Sequence, residues 1–252
     1  MQNVRKIAVV TGASSGIGAA TARRLATVGY HVYALARRAD RLQQLAKEID
    51  GTAVVCDITS DADVTSFAGT LDRVDLLVNN AGGARGAEPV ADAVVDDCQW
   101  MYDVNVLGTL RVTRALLPAL SAPDTATIVT IGSTAGTLVY EGGGGYTAAK
   151  HAQTALVQTL RLELSGRPIR VVEIDPGMVK TDEFALNRFD GDESRAQSVY
   201  AGVDRPLLAE DIAECVAWTA TLPPHVNIDQ LVVRPLAQAA QHKVYRAPLF
   251  TK

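Results

Sequence analysis

The chain of 252 residues is long enough to bury a sizeable core, and α/β folds of this length commonly form a single domain. A net charge of -4, with 48% hydrophobic and 21% charged residues, excludes disorder and the basic surface that nucleic acids or anionic membranes require. Cys56, Cys98 and Cys215 lack metal or disulfide spacing and predict reduced thiols. No apolar run approaches the ~18 residues of a membrane span, and no secretory pattern opens the sequence. We therefore expect one domain over residues 1–252, in the cytoplasm.

Short β-branched runs alternate along the chain with stretches of helical period. This alternation predicts a parallel sheet with helices on both faces, because parallel strands need crossover connections. Ser60, followed by Asp63, is typical of a helix N-cap. The predicted strands are Lys6–Val10, Val32–Leu35, Ala53–Val55, Leu76–Val78, Thr127–Ile131, Arg170–Ile174 and Leu231–Val233. The predicted helices are Gly16–Val28, Asp40–Ile49, Asp61–Leu71, Gln99–Leu117, Tyr146–Leu164 and Ala209–Leu222.

One stretch, residues 180–206, interrupts this rhythm with many charges and no clear period. Long irregular insertions in compact domains are usually active-site lids or disordered segments, so we expect a mobile lid over a substrate site. A plain surface loop is the alternative.

A glycine-rich turn, Thr11–Gly18, joins the first predicted strand to the first predicted helix. Glycines permit a tight turn and a close backbone approach, and a helix N-terminus presents free N–H groups to a pyrophosphate. Strand, turn and helix stand in the order that a dinucleotide site needs, although a purely structural turn is the alternative.

The spacing of these glycines resembles the TGxxxGIG turn of the short-chain dehydrogenase/reductase family. The resemblance implies a doubly wound Rossmann fold, with a seven-stranded parallel sheet in the order 3-2-1-4-5-6-7. It extends over nearly the whole chain, because the motifs described below match the same family.

The end of the second strand predicts which cofactor is bound. An acidic residue about 20 positions after the turn favours NAD, but this chain has Ala36 there, followed by Arg37 and Arg38. Guanidinium groups suit a 2′-phosphate through charge-assisted bonds, so we expect NADP(H). The alternative is that both arginines are solvated residues opening the next helix.

Two further strand ends match the family. The resemblance implies that Asp57 and Ile58 contact the adenine ring, although Asp57 could instead cap the following helix. It also implies that the NNAG motif at 79–82, with Asn80, supports the sheet and lines the adenine-side ribose.

Tyr146 and Lys150 lie four residues apart on a predicted helix, so their side chains share one face. A tyrosine titrates near pH ~10, and an adjacent ammonium favours the phenolate. We therefore expect Lys150 to lower the pKa of Tyr146, which would then act as the acid/base. A YxxxK pair alone is common by chance, and an exposed helical pair is its ordinary interpretation.

The resemblance gives this pair its context. Ser133, at the end of a strand, and Asn105 complete the family's Asn–Ser–Tyr–Lys tetrad. It implies direct hydride transfer without a metal: Ser133 positions the reacting oxygen, Lys150 binds the ribose, and Asn105 holds a water that links Lys150 to solvent. The PGxVxT loop at 176–181 is implied to fix the nicotinamide carboxamide.

Several stretches resemble the family branch of NADP-dependent 3-hydroxy acid and serine 3-dehydrogenases. A 3-hydroxy acid needs a cationic partner, which Arg188 or Arg85 could supply, or both could be solvated charges. Arg85 and the run Gly142–Gly145 depart from that branch, so a ketoreductase for a bulkier metabolite is an alternative. An NADP-binding regulatory protein is a third, since fold does not fix function. The family usually assembles as a homotetramer or a homodimer.

The sequence and its family resemblance thus predict three groups of site residues. The catalytic group is Asn105, Ser133, Tyr146 and Lys150; the substrate group is Ser133, Tyr146 and Arg188. The cofactor group is Gly12, Ser14, Ser15, Gly16, Ile17, Gly18, Arg37, Arg38, Asp57, Ile58, Asn80, Tyr146, Lys150, Pro176, Gly177, Val179 and Thr181. No metal ligands are predicted, because the four histidines share no ligand spacing.

Overall fold

A sheet of seven parallel strands forms the centre of the computed structural model, which describes residues 5–250. The hydrogen-bonded order is β3-β2-β1-β4-β5-β6-β7, which confirms the predicted fold and strand order. The strands are β1 (Lys6–Thr11), β2 (Tyr30–Ala36), β3 (Thr52–Val55), β4 (Leu76–Asn79), β5 (Ala126–Ile131), β6 (Ile169–Pro176) and β7 (Gln230–Val233).

Helices connect these strands and cover both faces of the sheet. A π-helical turn, Asp103–Leu107, lies between the fourth and fifth helices. Backbone hydrogen bonds in such a turn join residues five apart instead of four. The helices are α1 (Gly16–Thr27), α2 (Ala39–Ile49), α3 (Asp61–Ala68), α4 (Val95–Tyr102), α5 (Gly108–Leu120), α6 (Gly144–Glu163), α7 (Phe184–Arg188), α8 (Glu193–Ser198) and α9 (Ala209–Thr221).

Two hydrophobic cores lie on opposite faces of the sheet because successive strand side chains point in opposite directions. In β1, Ala8 and Val10 belong to the core under α1, α2 and α9. Val9 belongs to the core under α3, α5 and α6. A fully buried aliphatic side chain contributes roughly 1.5–3 kcal/mol of transfer free energy, so these two layers supply the main stabilisation.

The predicted boundaries differ from the observed ones mainly at helices. Ser60 caps α3 as expected, with its hydroxyl accepting from the backbone N–H of Asp63 at 3.2 Å. The fourth predicted helix, Gln99–Leu117, is wrong at both ends, since helical structure runs from Val95 to Leu120 and contains the π-helical turn. A short antiparallel hairpin, β8 (Gln238–Ala240) and β9 (Lys243–Val244), was not predicted.

Residues 180–206, named here the lid segment, fold into α7 and α8 with turns around them. An isolated parallel bridge joins Val179 to Leu207 at the two ends of the segment. Lys180 donates its backbone N–H to the Leu207 carbonyl at 2.7 Å, and Leu207 donates to Met178 at 3.1 Å. The segment therefore leaves and rejoins the fold at one place. No helix within residues 5–250 has both the length and the apolarity needed to cross a membrane.

Candidate active site

A groove with a volume of about 1350 Å³ lies at the carboxyl ends of the strands. Ligands of doubly wound sheets bind at this edge, where the strand order reverses between β1 and β4. Of the predicted site residues, all but Gly18 and Asn105 line this groove, and those two are buried. The lining residues are Gly12, Ser14, Ser15, Gly16, Ile17, Arg37, Arg38, Asp57, Ile58, Asn80, Ser133, Tyr146, Lys150, Pro176, Gly177, Val179, Thr181 and Arg188.

The glycine-rich turn is shaped by close backbone packing. Gly12 has a φ of 66°, and a Cβ built there would lie 2.8 Å from Ala81 Cα. A Cβ on Gly18 would lie 2.3 Å from the Gly12 carbonyl oxygen. Asn80 fixes the turn by donating its amide to the Thr11 carbonyl at 2.9 Å. The turn thus directs the N-terminus of α1 into the groove, where a helix N-terminus favours an anion.

A network of charged and hydroxyl groups lies beside this turn. The Arg38 guanidinium donates to Ser14 Oγ at 2.8 Å and pairs through both nitrogens with the Glu183 carboxylate at 2.7 and 2.9 Å. Arg41 also pairs with Glu183, and Ser15 donates to it at 2.7 Å. These bonds, first that from Arg38, lower the pKa of Glu183 to about 2. Arg37 is exposed at the rim of the same groove.

Asp57 forms a local turn at the end of β3. Its carboxylate accepts from the Thr59 backbone N–H at 2.9 Å and from the Thr59 hydroxyl at 2.8 Å. Ser60 is the N-cap of α3, so the alternative role of Asp57 as that cap is wrong. Ile58 is buried and packs against Gly108.

Ser133 and Tyr146 meet in the middle of the groove. Ser133 follows β5, and its backbone N–H donates to Asp175 Oδ1 at 2.9 Å while its hydroxyl accepts from the Ala135 N–H at 3.1 Å. Tyr146 lies in the first turn of α6 and is only 8% exposed. Burial raises the pKa of the Tyr146 phenol, and a hydrogen bond with Ser133 opposes that rise.

Lys150 lies one turn along α6, and its ammonium is held by the protein. Nζ donates to Gln153 Oε1 at 2.8 Å and to the Ile131 carbonyl at 3.1 Å, and it lies 5.9 Å from the centre of the Tyr146 ring. Burial lowers the pKa of Lys150 to about 8, and the negative charges of Asp175 and Glu173 oppose this fall. In the polypeptide alone the pKa of Tyr146 is nevertheless raised, because desolvation of the phenol is the largest influence on it. The lowering of this pKa by Lys150 stays a prediction.

Asn105 lies in the π-helical turn and is fully buried. Its side-chain amide donates to the carbonyls of Gly83 and Met101 at 2.9 and 2.8 Å, so it holds the segment after β4 against the helix. Its backbone carbonyl accepts from Gln153 Nε2 at 2.9 Å. The Gln153 side chain thus links the Asn105 carbonyl to Lys150. The water that the family resemblance implies between Lys150 and solvent stays a prediction.

The lid segment packs against Tyr146. The rings of Phe184 and Tyr146 are 6.0 Å apart, and the Arg188 guanidinium carbon lies 6.0 Å from the Tyr146 ring. Arg188 also donates to the carbonyls of Gly86 and Gly142 at 3.0 and 3.2 Å, and to the Tyr140 hydroxyl at 3.3 Å. These contacts hold the segment against the groove, and its role as a lid stays a prediction.

Arg85 has a different setting. Its guanidinium stacks 4.1 Å from the centre of the Trp100 ring and pairs with Asp97 at 3.2 Å. Asp97 already compensates the charge of Arg85. Arg188 is therefore the better placed of the two predicted cations for a substrate carboxylate.

Two buried carboxyl groups lie beneath Ser133 and Lys150. Glu173 and Asp175, both on β6, are 1% and 0% exposed, and a Cβ built on Gly132 would lie 2.9 Å from Glu173 Oε1 and 2.1 Å from Asp175 Oδ1. Burial, followed by the charge of Asp175, raises the pKa of Glu173 to about 7. Burial also raises the pKa of Asp175. Glu173 Oε2 has no hydrogen-bond partner within residues 5–250.

Sequence reasoning missed the acidic side chains described above and three further side chains of the site. Gln153 bonds Lys150, Tyr140 bonds Arg188, and Gln238 accepts from the Met178 backbone N–H at 2.8 Å, which holds the loop at 176–181. Only Gln153 left a usable signal, because it stands three residues after Lys150 on the buried face of the same helix.

Comparison with known proteins identifies the family. A family model described as short chain dehydrogenase matches residues 6–190. The chain belongs to the short-chain dehydrogenase family. An uncharacterized oxidoreductase of Mycobacterium tuberculosis is 60% identical over 236 residues, which cover 94% of this short-chain dehydrogenase and 93% of that relative.

Two better-described relatives share a lower identity. The NADP-dependent 3-hydroxy acid dehydrogenase YdfG of Escherichia coli is 38% identical over 239 residues, covering 92% of this chain and 96% of that protein. The solved structure of the closed form of serine dehydrogenase complexed with NADP⁺ has a TM-score of 0.89 at 38% identity, covering 93% of this chain and 96% of its own. This short-chain dehydrogenase is therefore an oxidoreductase, which disfavours the non-catalytic alternative.

Proposed function

We propose that this enzyme uses NADP(H) to interconvert the alcohol of a small 3-hydroxy acid, of the serine, allo-threonine or 3-hydroxypropionate type, and the corresponding carbonyl. The observation that carries the proposal is the grouping of Ser133, Tyr146 and Arg188 around one part of the groove. The first two residues can hold the reacting oxygen, and the third can hold a carboxylate. The names of two relatives, a 3-hydroxy acid dehydrogenase and a serine dehydrogenase, support the same substrate class.

The groove fits a nicotinamide dinucleotide with a 2′-phosphate. Gly12 leaves a space that a Cβ would fill, and the N-terminus of α1 opens beside it. Arg37 and Arg38, with Ser14, would bind the 2′-phosphate, while Asp57 and Ile58 would contact the adenine ring and Asn80 its ribose. Lys150 would bind the nicotinamide ribose. Pro176, Gly177, Val179 and Thr181 would fix the carboxamide.

The bound cofactor supplies a hydride acceptor or donor at its nicotinamide ring. In alcohol oxidation, Tyr146 Oη would take the hydroxyl proton while the hydrogen on the alcohol carbon leaves with its bonding electrons for the nicotinamide ring. In reduction, Tyr146 would return that proton to the oxygen. Ser133 Oγ donates to the same substrate oxygen and resists its movement. Burial keeps Tyr146 protonated in the polypeptide alone, which suits an acid, and the positive charge of an oxidised nicotinamide would favour the phenolate needed for a base.

Arg188 would bind the substrate carboxylate with its fork of N–H donors. Its bonds to Gly86 and Gly142 hold the guanidinium in place, so its orientation is set before substrate arrives. Phe184 would cover the substrate from the lid and exclude water from the reacting atoms.

The experiment is an absorbance assay of the purified protein. NADP⁺ or NAD⁺ is combined with L-serine, D- and L-allo-threonine, 3-hydroxyisobutyrate and 3-hydroxypropionate, and malonic semialdehyde is tested in reverse with NADPH. The proposal expects NADP⁺-selective oxidation of at least one 3-hydroxy acid and its loss in Tyr146→Phe, with NADPH binding retained. Inactivity on all of these, with NADPH consumed by bulkier ketones, would instead establish the ketoreductase alternative.

We also propose a homotetramer or a homodimer in solution. Apolar side chains on α4 and α5 face outward, with Val95 66%, Tyr102 46% and Leu110 39% exposed in the single chain. Apolar patches of this kind mark association surfaces. Light scattering of the purified protein would test the assembly state. The cytoplasmic location stays a prediction.

A further inference from the structure

Gln153 is a buried glutamine whose amide group is bonded at both ends. It lies on α6, is 1% exposed, and its Oε1 accepts from Lys150 Nζ at 2.8 Å. Its Nε2 donates to the Asn105 backbone carbonyl at 2.9 Å and to the Thr109 hydroxyl at 3.0 Å. The side chain therefore joins the ammonium of Lys150 to the π-helical turn.

The surroundings of Gln153 fix the direction of its amide. A backbone carbonyl only accepts hydrogen bonds, so the NH₂ end must face Asn105. The Thr109 hydroxyl donates to the same Asn105 carbonyl at 2.7 Å, which leaves its oxygen to accept from Gln153. The carbonyl end of Gln153 then faces Lys150, where it stabilises a charged ammonium. A flipped amide would place two donors against Lys150, so this network permits one orientation.

We propose that Gln153 is a positioning residue for catalysis, whose amide holds the Lys150 ammonium in place and charged. The proposal rests on the proposed roles of Tyr146 and Lys150. A buried hydrogen bond to a charged group is among the stronger bonds in proteins, because both partners have left water. Loss of the Gln153 acceptor would therefore destabilise the charged form of Lys150. With less positive charge beside it, the phenol of Tyr146 would have a higher pKa.

Two variants distinguish a positioning role of Gln153 from a packing role, because the two roles predict opposite orders of damage. Gln153→Met keeps most of the side-chain volume but cannot bond Lys150 or Asn105. Gln153→Ser leaves a cavity lined by the Asn105 carbonyl, the Thr109 hydroxyl and the Lys150 ammonium, and a polar cavity of this kind admits water. If packing matters most, serine is the more harmful substitution. If positioning matters most, methionine is.

The test measures ionisation of Tyr146 in the enzyme saturated with NADP⁺. Ultraviolet difference absorbance of tyrosinate is recorded against pH, and the signal of Tyr146→Phe is subtracted to isolate Tyr146. Gln153→Met should raise the pKa of Tyr146 by about one unit. In Gln153→Ser the pKa of Tyr146 should stay within about a few tenths of a unit of the wild-type value. Gln153→Leu repeats the apolar substitution should the methionine variant fail to fold, and exposed Gln44→Met on α2 is the matched control.

The other ionisable groups near the pair are kept in every variant. Tyr140, Asp175 and Arg188 influence Tyr146, and Asp175 and Glu173 influence Lys150. Any difference between the methionine and serine variants therefore arises at Gln153. Turnover adds a second measurement, in which Gln153→Met should lose at least roughly tenfold in kcat with little change in KM.

The outcomes separate this inference from the proposed function. The tyrosinate titration needs no turnover, so inactivity on 3-hydroxy acids would refute the substrate class and leave the Gln153 result valid. Equal Tyr146 titration curves for Gln153→Met and wild type, or a larger shift for Gln153→Ser than for Gln153→Met, would overturn the positioning role.

Discussion

Replacing Glu173 by glutamine should change how the stability of the enzyme depends on pH. The carboxyl group is buried, Oε1 accepts from the Thr154 hydroxyl at 2.7 Å, and Oε2 has no partner within residues 5–250. Its pKa is raised from 4.5 to about 7 in the folded protein. Glutamine has the same shape and keeps an acceptor for Thr154, but it does not ionise.

The sign and size follow from proton binding. A carboxyl whose pKa is raised on folding binds protons more tightly in the folded state, so stability falls as pH rises from 4.5 to about 7. At about 1.4 kcal/mol per unit of pKa, Glu173 alone accounts for a loss of about 3 kcal/mol over this window. Asp175 acts in the same direction, since burial raises its pKa too, and it persists in the variant. Lys150, with a pKa of about 8, titrates above the window.

Urea unfolding at pH 5 and at pH 7.5 measures the effect. Wild type should lose about 2 kcal/mol more stability between these pH values than Glu173→Gln does, because part of the titration lies outside the interval from pH 5 to pH 7.5. Exposed Glu163→Gln on α6 is the control and should follow wild type. Equal pH dependence in Glu173→Gln and wild type would refute the raised pKa and the energetic argument built on it.

Three further substitutions test the cofactor groove. Gly18→Ala should weaken NADPH binding more than tenfold and lower Tm, because its Cβ would meet the Gly12 carbonyl at 2.3 Å; unchanged calorimetric Kd and Tm would contradict the close packing. Arg38→Ala should weaken NADPH roughly tenfold more than NADH, and equal losses in Kd would contradict the phosphate assignment. Glu183→Gln should tighten NADPH relative to NADH, since its carboxylate competes for Arg38; an unchanged ratio of the two Kd values would contradict that competition.

The sheet could be predicted because its signal is local. Each strand is a short β-branched run, and every predicted strand overlaps an observed one within two residues at either end. The i,i+4 spacing of Tyr146 and Lys150 likewise fixes a shared helix face. The position of the groove could be predicted from the strands and from this spacing together, because the motifs stand at the carboxyl ends of strands.

The electrostatics of the site could not be predicted because they depend on contacts between distant parts of the chain. Glu183 meets Arg38 across 145 residues, and Gln153 meets the Asn105 carbonyl across 48. The raised pKa of Tyr146 in the polypeptide alone was missed for a related reason: spacing shows which side chains share a face, but it does not show how deeply they are buried.

The bridge between Val179 and Leu207 has a consequence for how the substrate range of such an enzyme can change. Because the two ends of the lid segment are already joined, the number of residues between them does not alter the path of β6 or α9. Each doubling of a loop adds only about 0.6 kcal/mol of closure entropy. Insertions and deletions between residues 182 and 204 can therefore reshape the substrate side while Tyr146, Lys150 and the nucleotide-binding turn keep their positions, so the lid behaves as an exchangeable module.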